Sequence, residues 1–420
     1  MSNEQLKKHI ERGVALWKTN DVDGALAENL KALEIDPQNA DAMTNTGTAY
    51  WAKGKQEEAT KYFLKAIEIN PGHMTALMNV ATLYQDNGDL ESAEIFANKA
   101  RAVRPLNADV LWRLGVLRLA NGDYLSGFDL YEEGLGYDHI RGKCPPFKIG
   151  QWDGSYCNRL VIWHEQGLGD TLQFVRYAQY CKQTAKKVFV LCPKELVRIL
   201  KTCPWIDDAV TGLDEGDFDA QISIMSLPYL FKTTLETVPA NVPYLGAEPI
   251  RCAYYEHKMP KTDKLKVGIV WGGNPRKSAI RFQIIDTKRS SGIEELAPLF
   301  DVPNVQFYSL QKGDYQSQIE PYKDKLIDLM GDVDDFWDTA AIISNLDLVI
   351  SVDTSVVHLA GALGKPVWVL SRYDACWRWL RNKPDNPWYP TAKVYGQHRP
   401  KDWSGVVQQV KRDLENYKKC

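Results

Sequence analysis

Three short stretches of the chain set glycine beside acidic, amide, hydroxyl and basic side chains where strands should end. The first is Trp163-His-Glu-Gln-Gly-Leu-Gly-Asp170. Gly167 and Gly169 let a ligand approach the backbone closely, and a helix opening near Asp170 favours an anion at its N-terminus. Asp170 reads either as a general base on an acceptor hydroxyl or as a helix N-cap; His164 and Glu165 are weaker alternates for the base. The dinucleotide fingerprint is not met, because Leu172 stands where its third glycine belongs. The second stretch is Val270-Trp-Gly-Gly-Asn274-Pro-Arg276-Lys277, with Lys288-Arg289-Ser290 closing one long loop. Cations mixed with amide and hydroxyl donors suit a diphosphate, since charged donors make the stronger hydrogen bonds. The P-loop pattern is absent, and a solvated basic loop is the alternative. In the third, an apolar run ends in Asp353-Thr354-Ser355 and passes into a small-residue helix carrying His358 on its first turn. Hydroxyls beside free helix amides form an anion cradle.

These stretches need a scaffold that presents strand ends side by side. From Cys144 onward, β-rich runs alternate with helical ones. Strands are expected at 160–164, 188–192, 220–224, 266–271, 306–310, 348–352 and 367–370; helices are expected at 171–183, 194–202, 336–344 and 356–363. That alternation means parallel sheets with crossover helices. The Pro-rich stretch 237–249 lacks periodicity and divides the run into two doubly wound units, which bind ligands at the carboxyl ends of their strands.

The front of the chain repeats every 34 residues. Ala25, Ala59 and Ala93 align, as do Ala32, Ala66 and Ala100, Pro37, Pro71 and Pro105, and Gly54, Gly88 and Gly122. This is the tetratricopeptide pattern of stacked helix pairs, with units at 6–39, 40–73, 74–107 and 108–141. The fourth drifts, with Gly127 in the alanine column, as a unit grafted onto another domain would. Stacked units present a concave groove for a partner, or serve as a spacer. Neither His9 nor His73 has a second ligand at a metal spacing.

Composition narrows the classes. With 44% apolar and 25% charged residues the chain is globular, and no run reaches the length of a membrane span. Residues 1–140 carry a net charge of −7 and the remainder +4. An excess that small argues against nucleic-acid binding and leaves anions more welcome at the back. Eight scattered cysteines without paired spacing read as reduced thiols. A polar N-terminus points to a cytoplasmic protein. Acidic pairs at Asp217/Asp219 and Asp332/Asp334 follow no expected strand end, so no metal site is assigned to them.

The stretch SVDTSVVHLAGALGKPVWVL resembles the donor segment of heptosyltransferase-like sugar transferases, glycosyltransferase family 9 and its relatives. HEQGLGDTLQFVRYA, VGIVWGGNP with KRS, FYSLQKG, DTAAIISNLDLVISVDTS and CWRWL with DNPWYPTAKVYGQ extend the likeness over 145–405. Joined to the repeats, the chain resembles bacterial and phage tetratricopeptide-repeat glycosyltransferases. The resemblance implies an all-α repeat superhelix (1–141) followed by an α/β GT-B fold, two facing Rossmann-like lobes. The lobe at 142–250 would take the acceptor, and that at 251–420 the nucleotide-sugar. By position, Asp170 matches the proposed base, and Asp353, Thr354, Ser355 and His358 match the donor loop. Arg276, Lys277 or Arg289 would reach the diphosphate, and Gln311 would line the nucleotide pocket. The implied reaction moves a sugar from a nucleoside-diphosphate sugar, a substrate rather than a cofactor, to a protein or glycan acceptor without a metal. The repeats would recruit a protein partner or the acceptor. A scaffold that kept the fold and lost the chemistry is the alternative.

Overall fold

The structure, a computed structural model, describes residues 3–275, 280–380 and 386–418. Four antiparallel helix pairs open the chain: α1 (Asn3–Lys18) with α2 (Val22–Ile35), α3 (Ala40–Ala52) with α4 (Gln56–Ile69), α5 (Met74–Asp86) with α6 (Leu90–Val103), and α7 (Ala108–Asn121) with α8 (Tyr124–Glu132). The small-residue columns explain the pairing. Ala59, Ala66, Ala93 and Ala100 are fully buried, and a Cβ at Gly47 would lie 2.7 Å from the Phe63 ring. Asp21, Asn39, Asp89, Asn107 and Asp123 each cap the helix that follows by accepting a backbone N–H. Gly54, Gly88 and Gly122 take positive φ where the first helix of each pair ends.

Beyond residue 150 the chain builds two all-parallel sheets. The first holds β1 (Cys157–Trp163), α9 (Leu168–Phe174), α10 (Ala178–Cys181), β2 (Ala185–Leu191), α11 (Lys194–Leu200), β3 (Asp208–Val210), β4 (Ala220–Ser223) and α12 (Leu227–Leu230), with strand order β3-β2-β1-β4. Helix α13 (Pro249–Lys258) follows the Pro-rich connection. The second sheet then comprises β5 (Leu265–Val270), α14 (Ile280–Arg289), α15 (Ile293–Leu296), β6 (Val305–Ser309), β7 (Leu326–Asp328), α16 (Phe336–Ser344), β8 (Leu348–Val352), α17 (Ser355–Ala362), β9 (Val367–Ser371), β10 (Ala392–Gly396) and α18 (Ser404–Glu415). Its order is β10-β9-β8-β5-β6-β7. Chain direction across the sheet therefore reverses between β5 and β8, and in the first sheet between β1 and β4; such reversals open a crevice at the strands' carboxyl ends. Strands β8 and β9 are buried along their whole length, as helix-covered parallel strands must be.

Strands β3, β7 and β10 were not expected from sequence: alternation is unreadable over the three residues of β3 and of β7, and the five of β10 are mostly not buried and form no apolar run. The expected loop at 275–289 instead contains α14. The helix expected at 171–183 starts earlier, at Leu168, and is broken by a 3₁₀ turn at Val175–Tyr177.

The fourth repeat is fused to the sheets. Tyr124 and Phe128 join Phe174, Trp377 and Trp388 in an aromatic cluster, and Trp388 Nε1 donates to Tyr124 Oη at 2.9 Å. Below it, buried Arg141 makes a two-pronged bond to Glu165 at 2.7 Å on each arm and a third to Glu132 at 2.7 Å. Ser226 completes the network. One apolar core consequently runs from α8 through the first sheet to one face of the second, whose other face has a core of its own.

Candidate functional site

At the β5/β8 crevice two loops meet. The turn after β5 is held from below by Gln311, whose Oε1 accepts from Trp271 N (3.1 Å) and Gly272 N (2.9 Å) while Nε2 donates to Gly272 O and Lys312 O. From the side, Ser290 Oγ accepts from Gly273 N at 2.9 Å and donates to the buried carboxylate of Asp286 at 3.0 Å. Asp286 also receives Arg289 Nη2 (2.9 Å) and Tyr315 Oη (2.8 Å). The Arg289 guanidinium lies flat on the turn: a Cβ at Gly273 would fall 2.1 Å from Nη2, so only glycine leaves it room. Asn274 is exposed at the rim. Arg276 and Lys277 lie outside the described residues.

Opposite stands the start of α17. Thr354 precedes the helix in extended backbone and gives it no side-chain cap, and its hydroxyl lies 3.1 Å from Ser351 Oγ. Asp353, Thr354 and Ser355 are half-buried. Uncapped N-terminal amides beside two hydroxyls and the Arg289 face can hold an anionic group. Of the sequence candidates, Asn274 and Arg289 follow β5, and Asp353, Thr354 and Ser355 follow the adjacent β8; Ser290 is spent on the turn, its one O–H donated to Asp286.

His358 and Gln311 need correction. His358 is 5% exposed, stacks on Trp379 with centroids 5.5 Å apart, and bonds through Nδ1 to Tyr389 Oη at 3.0 Å. Gly169 of the first sheet's turn closes over it; a Cβ there would lie 2.8 Å from His358 Cδ2 and 3.2 Å from Ser355 Cα. Burial, with Arg378 and Arg176 nearby, pushes its pKa well below the ordinary histidine value, so it sits neutral in the seam between lobes. Gln311 is buried, and its side-chain oxygen and nitrogen are both taken up by the turn it braces.

The first sheet's turn is closed by its own acid. Asp170 Oδ2 accepts from Gly167 N at 2.8 Å, and Oδ1 accepts from Arg378 Nη2 at 2.5 Å. Asp170 is not the N-cap, which is Gly167; it is the third residue of α9, closes back on the Gly167 amide, and adds an ion pair that crosses between the sheets. Arg378 is buried over Trp377 and also donates to Gln173 Oε1 at 2.8 Å. Glu165 is consumed by Arg141. His164 Nδ1 contacts Thr171 Oγ1 at 2.5 Å, and burial lowers its pKa. Sequence reasoning missed Arg378, Asp286 and Tyr315. Arg378 and Tyr315 lie far along the chain from the glycines they serve, and Asp286 acts on its helix neighbours Arg289 and Ser290 from within a stretch expected to be loop.

The acidic pairs have other duties: Asp219 accepts from Asn158 N and Arg159 N, and Asp332 pairs with Lys258. Among the described residues no three His, Cys, Asp or Glu side chains converge as a metal site would. A cavity of about 340 Å³ lined by Trp152, Tyr156 and Asp219 lies at the amino ends of β1 and β4, away from the crevice.

Comparison with known proteins bears on the front of the chain. The tetratricopeptide repeat family model matches residues 10–73 and 80–136. Residues 10–136 carry tetratricopeptide repeats. That match stops before β1, so every crevice residue lies outside it. Protein FlbA of Caulobacter vibrioides is 26% identical over 332 residues, covering 70% of this chain, more than the repeats occupy. The chain spans about half of that relative, 52% of its length. Similar solved structures include MamA protein (20% identical, 33% of this chain, 75% of that one, TM-score 0.29) and Pseudomonas aeruginosa pilF (21%, 32%, 61%, TM-score 0.30). The first repeat domain of Spaghetti (RPAP3), solved with an HSP90 peptide, is 21% identical over 29% of this chain and 96% of that one, with TM-score 0.28. No helix among the described residues is long and apolar enough to cross a membrane.

Proposed function

We propose that the chain is a glycosyltransferase of GT-B type, moving a sugar from a nucleoside-diphosphate sugar to a protein or glycan acceptor, with the repeats recruiting a protein partner or the acceptor itself. The observation that carries this reading is the convergence at the β5/β8 crevice. A guanidinium on a glycine turn and Asn274 follow β5, and an uncapped helix start flanked by Thr354 and Ser355 follows the neighbouring β8, at the carboxyl ends of a doubly wound parallel sheet. These groups are fixed before reaction and face where a leaving diphosphate develops charge, the arrangement that lowers a barrier most.

In the proposed reaction the acceptor hydroxyl attacks the anomeric carbon, the bond from that carbon to the diphosphate oxygen breaks, and the nucleoside diphosphate leaves. The hydroxyl proton passes to Asp170. Its carboxylate has about four acceptor positions, of which Gly167 N and Arg378 take two, so Arg378 orients the base without exhausting it. Incubation with UDP-, GDP-, ADP- and CMP-sugars should release nucleotide from one donor, and Asp170→Asn should abolish release while sparing binding. Undiminished release by Asp170→Asn removes the base assignment; no release from any donor removes the reading.

The sealing of His358 by Gly169 favours a second reading, a binding protein that retains the nucleotide crevice without turnover. It predicts binding of one nucleotide and release from none.

A further inference from the structure

The site described so far is made by the two sheets, yet one carboxylate from the repeats reaches it. Asp86 is the last residue of α5. At the 34-residue spacing it shares a column with Lys18, Ala52 and Ala120, so repeat packing at that position requires no carboxylate. Its Oδ2 lies 2.7 Å from Lys288 Nζ on α14, an ion contact by distance although off the hydrogen-bond axis. Lys288 is also 3.6 Å from Asp374, which pairs with Arg372 at 3.0 Å. The side chains of Asp86, Lys288 and Asp374 are 9%, 18% and 10% exposed. Burial pushes the Asp86 carboxyl up from its ordinary range and Lys288 pulls it back; an acid stays in such a place only when paired.

Lys288 immediately precedes the two residues that clamp the glycine turn. Arg289 lies on Gly273, and Ser290 holds Gly273 N. The backbone continues the clamp: Ser290 N donates to Asp286 O at 2.8 Å and Ser291 N to Trp271 O at 2.9 Å. The end of α14 is therefore anchored on one side by the turn and on the other by the third repeat.

We infer that Asp86 is a positioning residue for the candidate anion site, and that the repeat array forms a third wall of that site rather than a detachable recruiting arm. That the clamped turn serves a diphosphate rests on the glycosyltransferase reading; the mechanical coupling does not. A partner seated on the repeats would thereby act on the donor turn through the Asp86–Lys288 contact.

Hydrogen exchange on the full chain tests the coupling. In Asp86→Ala, the amides of Gly273, Ser290 and Ser291 should exchange at least tenfold faster, while the β8 amides are unchanged. Lys288→Ala should give the same local pattern, which keeps the test alive if the first variant folds poorly. The exchanged pair Asp86→Lys with Lys288→Asp should restore protection, which a mere loss of packing would not. Unchanged exchange at the turn in both single variants, or a rise spread equally over β8, overturns the inference. The panel of nucleotide sugars on the same variants separates the two questions. Faster exchange with no nucleotide bound by the unsubstituted chain leaves the coupling standing and removes the diphosphate reading.

Discussion

The turn at 164–170 and the turn at 353–358 both leave the carboxyl end of a parallel strand and feed a helix, yet their polar groups end differently. In the first, Asp170 folds back on Gly167 N, Arg378 crosses from the other sheet to pair with it, and Arg141 consumes Glu165. In the second, α17 begins without a side-chain cap, and Asp353, Thr354 and Ser355 remain half-exposed. The same topology thus serves as an assembly joint in one lobe and leaves a helix start without a side-chain cap in the other. A strand-end glycine turn is an opportunity that the surrounding charges either close or leave available.

The contrast can be broken most forcefully at the joint. Arg141→Ala would leave Glu165 and Glu132 buried without their partner and should lower the unfolding free energy by about 3–5 kcal/mol in urea titration. Thr354→Ala, on the open side, should stay within about 0.5 kcal/mol of the parent. A loss of less than about 1 kcal/mol in Arg141→Ala would erase the distinction.

Glycine substitutions sharpen it next. A methyl at Gly169 meets the His358 ring and the Ser355 backbone at 2.8 and 3.2 Å, neither of which can swing clear. Gly169→Ala should therefore cost about 1–3 kcal/mol, read as a drop in thermal midpoint. At Gly273 the added methyl meets only the far end of Arg289, which can rotate away, so Gly273→Ala should perturb stability less than Gly169→Ala and nucleotide affinity more. The reverse order would contradict the assignment of the two turns.

Acid should loosen the seam before the cradle. His358 and His164 both titrate below the ordinary histidine value because they are buried. The unfolded chain then binds more protons than the folded one below about pH 6.5, so stability is full above that pH and falls as pH is lowered through the folded values. Each such histidine adds a slope of at most about 1.4 kcal/mol per pH unit. His358→Gln should reduce the slope between pH 6.5 and 5 by one proton's worth; an unaltered slope would show that His358 does not sit neutral.

Much of this arrangement was legible in sequence, and the omissions have physical causes. The repeats announced themselves because each unit packs by the same small residues, and Ala59 or Ala93 can be nothing larger. Strands β5, β8 and β9 were readable because both faces are buried and the runs are continuously apolar. The glycine turns and the Asp353-Thr354-Ser355 segment were visible as local patterns. His358 was misplaced because a histidine on a first helical turn looks the same whether it faces a crevice or a neighbouring lobe; only Gly169, 189 positions away, decides it. Arg378 pairs with Asp170 across 208 positions and Lys288 with Asp86 across 202. Contacts of that separation leave no periodic trace.

The substitution that matters most for function lies at the Gly273 turn. Calorimetric titration of the full chain and of Arg289→Ala with UDP, GDP, ADP and CMP tests the open cradle directly. The account predicts that one nucleotide binds the parent chain and that Arg289→Ala weakens it by at least about tenfold, or 1.4 kcal/mol, measured where the variant, which leaves the buried Asp286 without its cation, is still folded. Binding indifferent to Arg289→Ala but abolished by Tyr156→Ala would place the nucleotide in the cavity at the amino ends of β1 and β4, and would contradict it.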